Sequence, residues 1–503
     1  QKLYFMNRKI ILFLSLFMAL SIQAQKKKIT LEEAVLQQGR AFRADGLTGF
    51  QWIPNTNKYV FYTDAWTKMK SASTTNDAAA ELVSLADINA ALGTKLKNFF
   101  GLQWLDANTV MVTENGKYFQ YNLSTKTGKQ TIQAPETAEN ATFDSNKANL
   151  AFTESNNLYF INSKGEKVTV TNETNKGIVS GQSIARNEFG ISGGIFWSPK
   201  ASYLAFYQKD ETEVADYPLL DITETPGKLV NIKYPMIGQK SEKPRVGIYN
   251  VTTGKTVFIA PKGNKDDYLT NLSWTPDEKY ILIAELNRGQ NDMSLNLYDA
   301  LTGTFIRTIL NEKNPRWVEP EHEAFFPNAK SNNFVWFSEK DGWRHVYSIG
   351  LDGKENLLTP GDYDVINLLH LDEKSKMAYF HASPENATQK YLYRIKLDGK
   401  SKAERVSPEL FEGTNTYVIS PSGKFAFHQF SNSYTRPSSE WISLPKHEPL
   451  DESKSIEANL AQNQGPKTVE FFKINTADLN AGIYFVKIQT NSGNKSVKLL
   501  VRN

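Results

Sequence analysis

Apolar and polar positions along this chain alternate in short runs, and the runs return in one recurring order. An aromatic or apolar residue is followed by a small polar residue, then Pro or Asp, a turn, and a run of strand formers. The clearest copies are Trp197-Ser198-Pro199-Lys200-Ala201-Ser202-Tyr203-Leu204-Ala205-Phe206 and Trp274-Thr275-Pro276-Asp277-Glu278-Lys279-Tyr280-Ile281-Leu282-Ile283. Weaker copies start near Trp52, Trp104, Phe143, Phe326, Leu371 and Ile419, which makes eight in all. A period of roughly 40–50 residues made only of short strands is the sequence signature of a β-propeller. The pattern therefore predicts an all-β fold, an eight-bladed β-propeller over residues 25–450.

A second phrase rhymes with the first. It is an aromatic-rich strand followed by a Gly turn: Tyr121 with Thr127-Gly128, Tyr249 with Thr253-Gly254, Tyr298 with Thr302-Gly303, Tyr347 with Asp352-Gly353, and Tyr393 with Asp398-Gly399. Asp-Gly and Thr-Gly supply the positive φ that a tight hairpin needs. Each blade should then alternate strand and turn, with the Tyr packed between neighbouring blades. The interval from Trp197 to Trp274 is longer than one blade, and its excess includes the charged, Pro-containing stretch Lys209 to Lys240. An insertion on one face of a propeller is where a partner or substrate is usually met.

Both ends of the chain depart from the repeat. Met6-Asn7-Arg8-Lys9, the apolar run Ile10 to Ile22 and the small residue in Ile22-Gln23-Ala24 read as a secretory signal peptide cut before Gln25, so residues 1–24 are set apart from the fold. The run is too short for a stable membrane span. Residues 451–475 are mostly polar and read as a linker or a strand leaving the propeller. Beyond them, Ile483 to Gln489 and Lys495 to Val501 flank Asn491-Ser492-Gly493-Asn494, which predicts a β-hairpin within 476–503.

Charge and composition narrow the function. Lys+Arg is 58 against Asp+Glu 54, a net charge of +4, with no basic stripe, so nucleic acid is not expected as a partner. The chain has no cysteine, which removes disulfides, thiolate metal sites and a Cys nucleophile. None of the six histidines (His322, His345, His370, His381, His428 and His447) stands at a local metal-ligand spacing, and no Gly-rich phosphate loop is present. No cofactor is expected, and the histidines read as surface or blade-packing residues.

Several phrases in the propeller region resemble the N-terminal propeller of the dipeptidyl peptidase IV branch of the prolyl oligopeptidase family. They are Asn187-Glu188-Phe189-Gly190-Ile191 leading to Phe196-Trp197-Ser198-Pro199, Asp210-Glu211-Thr212-Glu213-Val214, Tyr217-Pro218, Tyr234-Pro235, His322-Glu323-Ala324-Phe325-Phe326-Pro327, Asp341-Gly342-Trp343-Arg344-His345-Val346-Tyr347 and Tyr379-Phe380-His381-Ala382-Ser383-Pro384-Glu385. The resemblance runs from about residue 28 to about residue 475. It implies that the propeller supplies an acidic anchor for the free amino terminus of a peptide, and that a separate α/β-hydrolase domain supplies a Ser–Asp–His triad. The matching anchor here is Glu188, which by residue type alone reads as a solvated loop carboxylate. Many dipeptidyl members carry two adjacent Glu, whereas Asn187 precedes Glu188 here, so release of dipeptides and of tripeptides both stay open.

The catalytic half of such an enzyme is not legible in these residues. Residues 451–503 show no helical period, whereas a hydrolase nucleophile needs a strand-to-helix elbow. The G-x-S-x-G match Gly190-Ile191-Ser192-Gly193-Gly194 runs into a strand and a turn, so Ser192 is not expected to be a nucleophile and no catalytic residue is assigned. Val469 to Ile474 resembles the strand that enters the hydrolase domain in the peptidase family. Leu479 to Ile488 and the ending Lys498-Leu499-Leu500-Val501-Arg502 resemble the tail of a type A sorting domain of the type IX secretion system. Together these imply a truncated or fused propeller that is exported to the periplasm, the outer-membrane surface or the medium. Peptide amino termini, a separate hydrolase chain and self-association through a face that a hydrolase domain would otherwise cover are the expected partners.

Overall fold

The computed structural model describes residues 30–37, 47–372, 374–433, 435 and 437–457, and the backbone of Gly482–Thr490 and Gly493–Val501. The signal peptide expected at 1–24, the strand expected at 469–474 and most of the expected linker lie outside the described residues. Two compact units are present, one up to Asp451 and one from Glu452 onward.

The first unit is an eight-bladed β-propeller. Its blades follow the chain in order, each an antiparallel sheet: blade 1 over residues 51–84, blade 2 over 103–133, blade 3 over 139–169, blade 4 over 178–258, blade 5 over 268–313, blade 6 over 333–357, blade 7 over 365–405 and blade 8 over 414–449. Every copy of the leading phrase falls in or beside the first strand of a blade. The spacing is therefore the blade repeat itself.

The physical reason for the leading Trp lies between blades. Trp197 Nε1 donates to Thr142 O of blade 3 at 3.1 Å, and Trp274 Nε1 donates to Phe196 O of blade 4 at 3.1 Å. Trp104 Nε1 donates to Gln51 Oε1 of blade 1 at 2.9 Å. The Tyr of the second phrase packs the same way. Tyr121 shares a core with Val60 and Met69 of blade 1, Tyr249 with Phe160 of blade 3, and Tyr298 with Ile248 of blade 4. Tyr347 and Tyr393 repeat this toward blades 5 and 6. The core is thus a chain of seams, each made by one blade's aromatics against the blade before it.

Among the described residues, no strand is shared between blade 8 and blade 1. Side chains close the ring: Tyr59 stacks on Trp441 with ring centroids 4.2 Å apart, and Phe50 sits between Phe427 and Trp441. One element was not apparent in the strand pattern. Leu85–Leu92 is a helix between blades 1 and 2, started by a Ser84/Asp87 capping box and stopped by Gly93 in the left-handed region.

The insertion in blade 4 is a two-stranded arm. Asp216–Asp221 pairs with Lys228–Lys233, and the arm leaves the blade between strands Tyr203–Asp210 and Lys243–Asn250. In the second unit, Gly482–Thr490 pairs antiparallel with Gly493–Val501, so Gly493 and Asn494, read from sequence as lying between the strands, belong to the second strand. Among the described residues, no helix is long and apolar enough to cross a membrane.

Candidate functional site

Glu188 reaches its position because the first strand of blade 4 is interrupted. Ile178–Ser180 and Ile195–Trp197 both pair with the strand Tyr203–Asp210, leaving Tyr207 opposite the gap. Tyr207 O accepts from Gly181 N at 2.8 Å and Tyr207 N donates to Gly194 O at 3.0 Å, so residues 182–193 loop out at a single point. Burial pushes the Tyr207 phenol far up. The neck of this excursion is narrow. A Cβ on Gly194 would come within 2.3 Å of the Gln182 backbone, which leaves room only for glycine.

The tip is held by the neighbouring blades. The Phe189 ring is buried beside Tyr268, at 4.8 Å between centroids. Asn271 Nδ2 donates to Phe189 O at 3.2 Å, and also to the carbonyls of Pro320 and His322. Gly190 has φ +72°, and a Cβ there would lie 1.9 Å from Glu321 O. The two outer glycines of the G-x-S-x-G match are thus packing and turn residues. Ser192 is exposed in the loop and leads into the strand Ile195–Trp197, the strand expected after the match.

Between the excursion, the base of the arm and blade 5 lies a cavity of about 710 Å³. Its wall is charged and nearly balanced in sign. Glu242 accepts from Ala185 N at 2.7 Å and pairs with Lys209 at 3.5 Å, and Lys209 also pairs with Glu211 at 2.7 Å. The Arg186 guanidinium lies over the Tyr234 ring at 4.6 Å, and that of Arg288 over Tyr268 at 4.4 Å. Glu188 lines the same cavity and is exposed; among the described residues its carboxylate has no hydrogen-bond or ion-pair partner. Of the four cavity carboxylates, Glu211 and Glu242 are engaged, and Glu188 and Asp266 are left to meet an incoming cation; Glu188 is the one on the excursion.

Sequence reasoning missed a second cluster of polar side chains. His428, Glu440 and His447 are all buried in blade 8, with one ligand atom from each within 4.8 Å of the others. His428 and Glu440 are cross-strand partners twelve residues apart in sequence, so their pairing depends on strand register and leaves no local spacing to read. His345 and His381 are also buried, paired with Asp341 at 2.8 Å and Asn367 at 2.9 Å. His322 is exposed beside Arg344, and partial burial and that guanidinium lower its pKa.

Comparison with known proteins places this geometry. Residues 112–437 match the model of the dipeptidyl peptidase IV (DPP IV) N-terminal region, and residues 455–502 match that of the secretion system C-terminal sorting domain. A Coccidioides posadasii protein named for dipeptidyl-aminopeptidase B is 26% identical over 381 residues, which covers 68% of this chain and 41% of that one. Dipeptidyl aminopeptidase B of Saccharomyces cerevisiae is 24% identical over 332 residues, covering 62% and 40%. The chain therefore spans about two fifths of the length of the curated relatives it matches. Among solved structures, a Bacteroides ovatus protein named for a dipeptidyl aminopeptidase IV superposes with a TM-score of 0.74 at 27% identity, covering 94% of this chain and 67% of that one. Dipeptidyl peptidase 4 of Porphyromonas gingivalis has a TM-score of 0.70 at 20% identity, covering 94% and 66%, and shares the fold.

Proposed function

The chain belongs to the family of the dipeptidyl peptidase IV N-terminal region and carries a secretion-system sorting tail, and from that premise we propose that it is the exported peptide-binding propeller of a dipeptidyl- or tripeptidyl-peptidase system. Glu188 receives the free amino terminus of the peptide. The observation that carries this reading is the unpaired Glu188 carboxylate at the tip of the excursion, on a cavity where Glu211 and Glu242 are engaged by Lys209 and Ala185 N and Asp266 is the other open acid. A charge-assisted hydrogen bond from an ammonium group to such a carboxylate is stronger than a neutral one, and geometry decides it more than sequence does. The sorting tail implies work at the cell surface or in the medium.

In this reading the chain itself does not hydrolyse peptides. A serine peptidase needs a nucleophile within hydrogen-bond reach of a base that is itself held by a third group. Ser192 is the serine of the G-x-S-x-G match, and its hydroxyl has no histidine partner among the described residues. The nearby carboxylates and cations bind and orient; they do not form an acyl-transfer site.

The test is chromophore release from Gly-Pro-linked and tripeptide-Pro-linked substrates by the purified chain, run beside binding of a fluorescent Gly-Pro peptide and of its N-acetylated form. The expected result is no release, weak binding of the free-amine peptide, and loss of that binding on acetylation or in Glu188→Gln. Equal binding of both peptides would overturn the anchor role. Release abolished by a serine-directed inhibitor would overturn the non-catalytic reading, and Ser192→Ala would then be the next variant.

A further inference from the structure

Blade 8 contains a donor–acceptor arrangement that neutral imidazoles and an ionised carboxylate do not satisfy by hydrogen bonding alone. Tyr417, His428 and Glu440 lie in register across its first three strands. His447 enters from the turn before the fourth strand. All four side chains are buried.

Asn415 fixes the proton on His428. Its amide nitrogen donates to Phe411 O at 2.9 Å and to Lys390 O at 3.1 Å, so its oxygen is the atom facing His428 Nε2 at 2.9 Å. That oxygen only accepts, and Nε2 must therefore carry the hydrogen. In a neutral imidazole Nδ1 is then a bare lone pair. It lies 2.8 Å from Glu440 Oε1, which also accepts only when the carboxylate is ionised. His447 Nε2 lies 3.2 Å from the same oxygen.

Something positive must stand between these atoms. An additional proton would leave either an imidazolium or a neutral carboxylic acid in a site with almost no solvent contact, and burying the imidazolium is costly. A divalent cation also satisfies the contact, because its coordination bonds use the imidazole lone pairs and the carboxylate oxygen at once. Two imidazole nitrogens and a carboxylate oxygen are a common zinc donor set, with ligand bonds of about 2.0–2.2 Å. Two donors on one tetrahedral ion then stand roughly 3.3 Å apart; the two imidazole nitrogens lie 2.8 and 3.2 Å from Glu440 Oε1, and all three atoms lie within 4.8 Å of one another. The outer partners also fit. His428 Nε2–H is held by Asn415, and His447 Nδ1 faces the Tyr417 hydroxyl at 3.1 Å. That hydroxyl continues to Ser407 Oγ at 2.9 Å, which accepts from Leu392 N at 2.8 Å. Ligating histidines are ordinarily oriented by such second contacts.

We propose that blade 8 binds one divalent transition metal, zinc by the class of its donors, through His428, Glu440 and His447. The ion cross-links the second and third strands to the turn that leads into the fourth. Glu440 is adjacent to Trp441, whose ring closes the propeller against Tyr59, so the metal stiffens the last blade at the seam. Loading displaces the proton otherwise shared by His428 and Glu440 to solvent, leaving neutral imidazoles and an ionised carboxylate as ligands.

The experiment uses the full chain without a histidine tag. It is refolded with zinc, freed of loose metal by gel filtration, and assayed by plasma mass spectrometry and thermal unfolding. The expected result is about one zinc per chain, a melting temperature several degrees above that of chelator-refolded protein, and visible ligand-field bands when cobalt replaces zinc. His447→Gln and Glu440→Gln should lose the metal and its thermal increment, while His345→Gln in blade 6 should keep both. Should the blade 8 variants fail to fold, the cobalt spectrum of the unaltered chain decides the matter alone. Substoichiometric zinc with an unchanged melting temperature would overturn the site, as would full zinc content in His447→Gln.

Discussion

Trp52 Nε1 in the first blade donates to the backbone carbonyl of Val418 in the last, at 3.1 Å. The bond has the same form as Trp197 to Thr142 and Trp274 to Phe196, but it spans 366 residues of chain. One repeated indole thus builds the interior seams and also closes the ring. Ser422 Oγ donates to Asn57 Oδ1 at 2.7 Å on the same seam. Among the described residues no strand is shared between any two adjacent blades, and blades 8 and 1 are the pair not consecutive in sequence, so closure rests on these polar bonds and on the Phe50, Tyr59 and Trp441 rings.

Lacking a direct chain connection between its two blades, the closing seam is the expected weak joint. Trp52→Phe keeps most of the ring contact and removes the bond, and should cost about 1 kcal/mol. Trp441→Ala removes the stacked ring and should cost about 3 kcal/mol. Both should increase cleavage by a nonspecific protease near blades 1 and 8, whereas Trp274→Phe should lower the melting temperature without that local cleavage. Mass mapping of early fragments checks the point; cleavage spread evenly over all blades would refute it.

Gly190 tests how the excursion is held. Its φ of +72° and the 1.9 Å approach of a Cβ to Glu321 O leave no place for a side chain. Gly190→Ala must push residues 188–191 away from the Glu321 backbone between blades 5 and 6, at a cost of about 2 kcal/mol or more. Free-amine peptide binding should fall with it, because the Glu188 carboxylate moves. Gly165→Ala, where a Cβ would meet nothing within 4 Å, should spare binding. Titration of the labelled peptide against both variants makes the comparison.

His381 sets an acid limit on stability. Burial, with Lys390 and His428 nearby, lowers its pKa to about 3 from a model-peptide value of 6.5. Between those values the unfolded chain binds a proton that the native chain excludes, so stability falls as pH drops. The contribution is complete above about pH 6.5 and is lost toward about pH 3, at up to about 1.4 kcal/mol per unit. His381→Gln retains a donor for Asn367 and has no proton to gain, so its denaturation midpoint should vary less with pH from 6.5 to 4. Parallel urea titrations across that range decide it. Identical slopes for the two proteins would mean that other groups dominate.

The propeller was legible because its signals are local and repeated. Trp197, Trp274 and the Tyr-then-Gly phrases stand at blade spacing, and each does the same packing task in every blade where it occurs. The C-terminal hairpin was legible from alternation around Asn491 to Asn494. The helix Leu85–Leu92 was hidden because it is short and is set by its Ser84 and Gly93 caps more than by a long apolar period. Glu188 was found through family phrases; nothing in its own residue type announces a cavity. The His428, Glu440 and His447 cluster was not legible at all. Strand register brings its members together, and the blade count alone does not fix register to the residue.

The arm of blade 4 carries the last prediction. Two-stranded ribbons are marginal in water unless something covers them. Leu219 pairs with Val230 and Leu220 with Leu229, so apolar residues occupy both faces of the ribbon. Leu220 and Leu229 are each 65% exposed, and Ile222, Met236 and Ile237 extend the surface at the tip and base. An apolar patch of this kind marks an interaction surface, and the arm is the expected site of self-association. Replacing Leu220 and Leu229 with Lys leaves the blade core untouched and places like charges opposite each other on the ribbon. Sedimentation velocity over a range of concentrations should show the unaltered chain associating and the double variant remaining monomeric with an unchanged blade-core melting transition. A monomeric unaltered chain at high concentration, or association that survives the double variant, would assign the contact elsewhere.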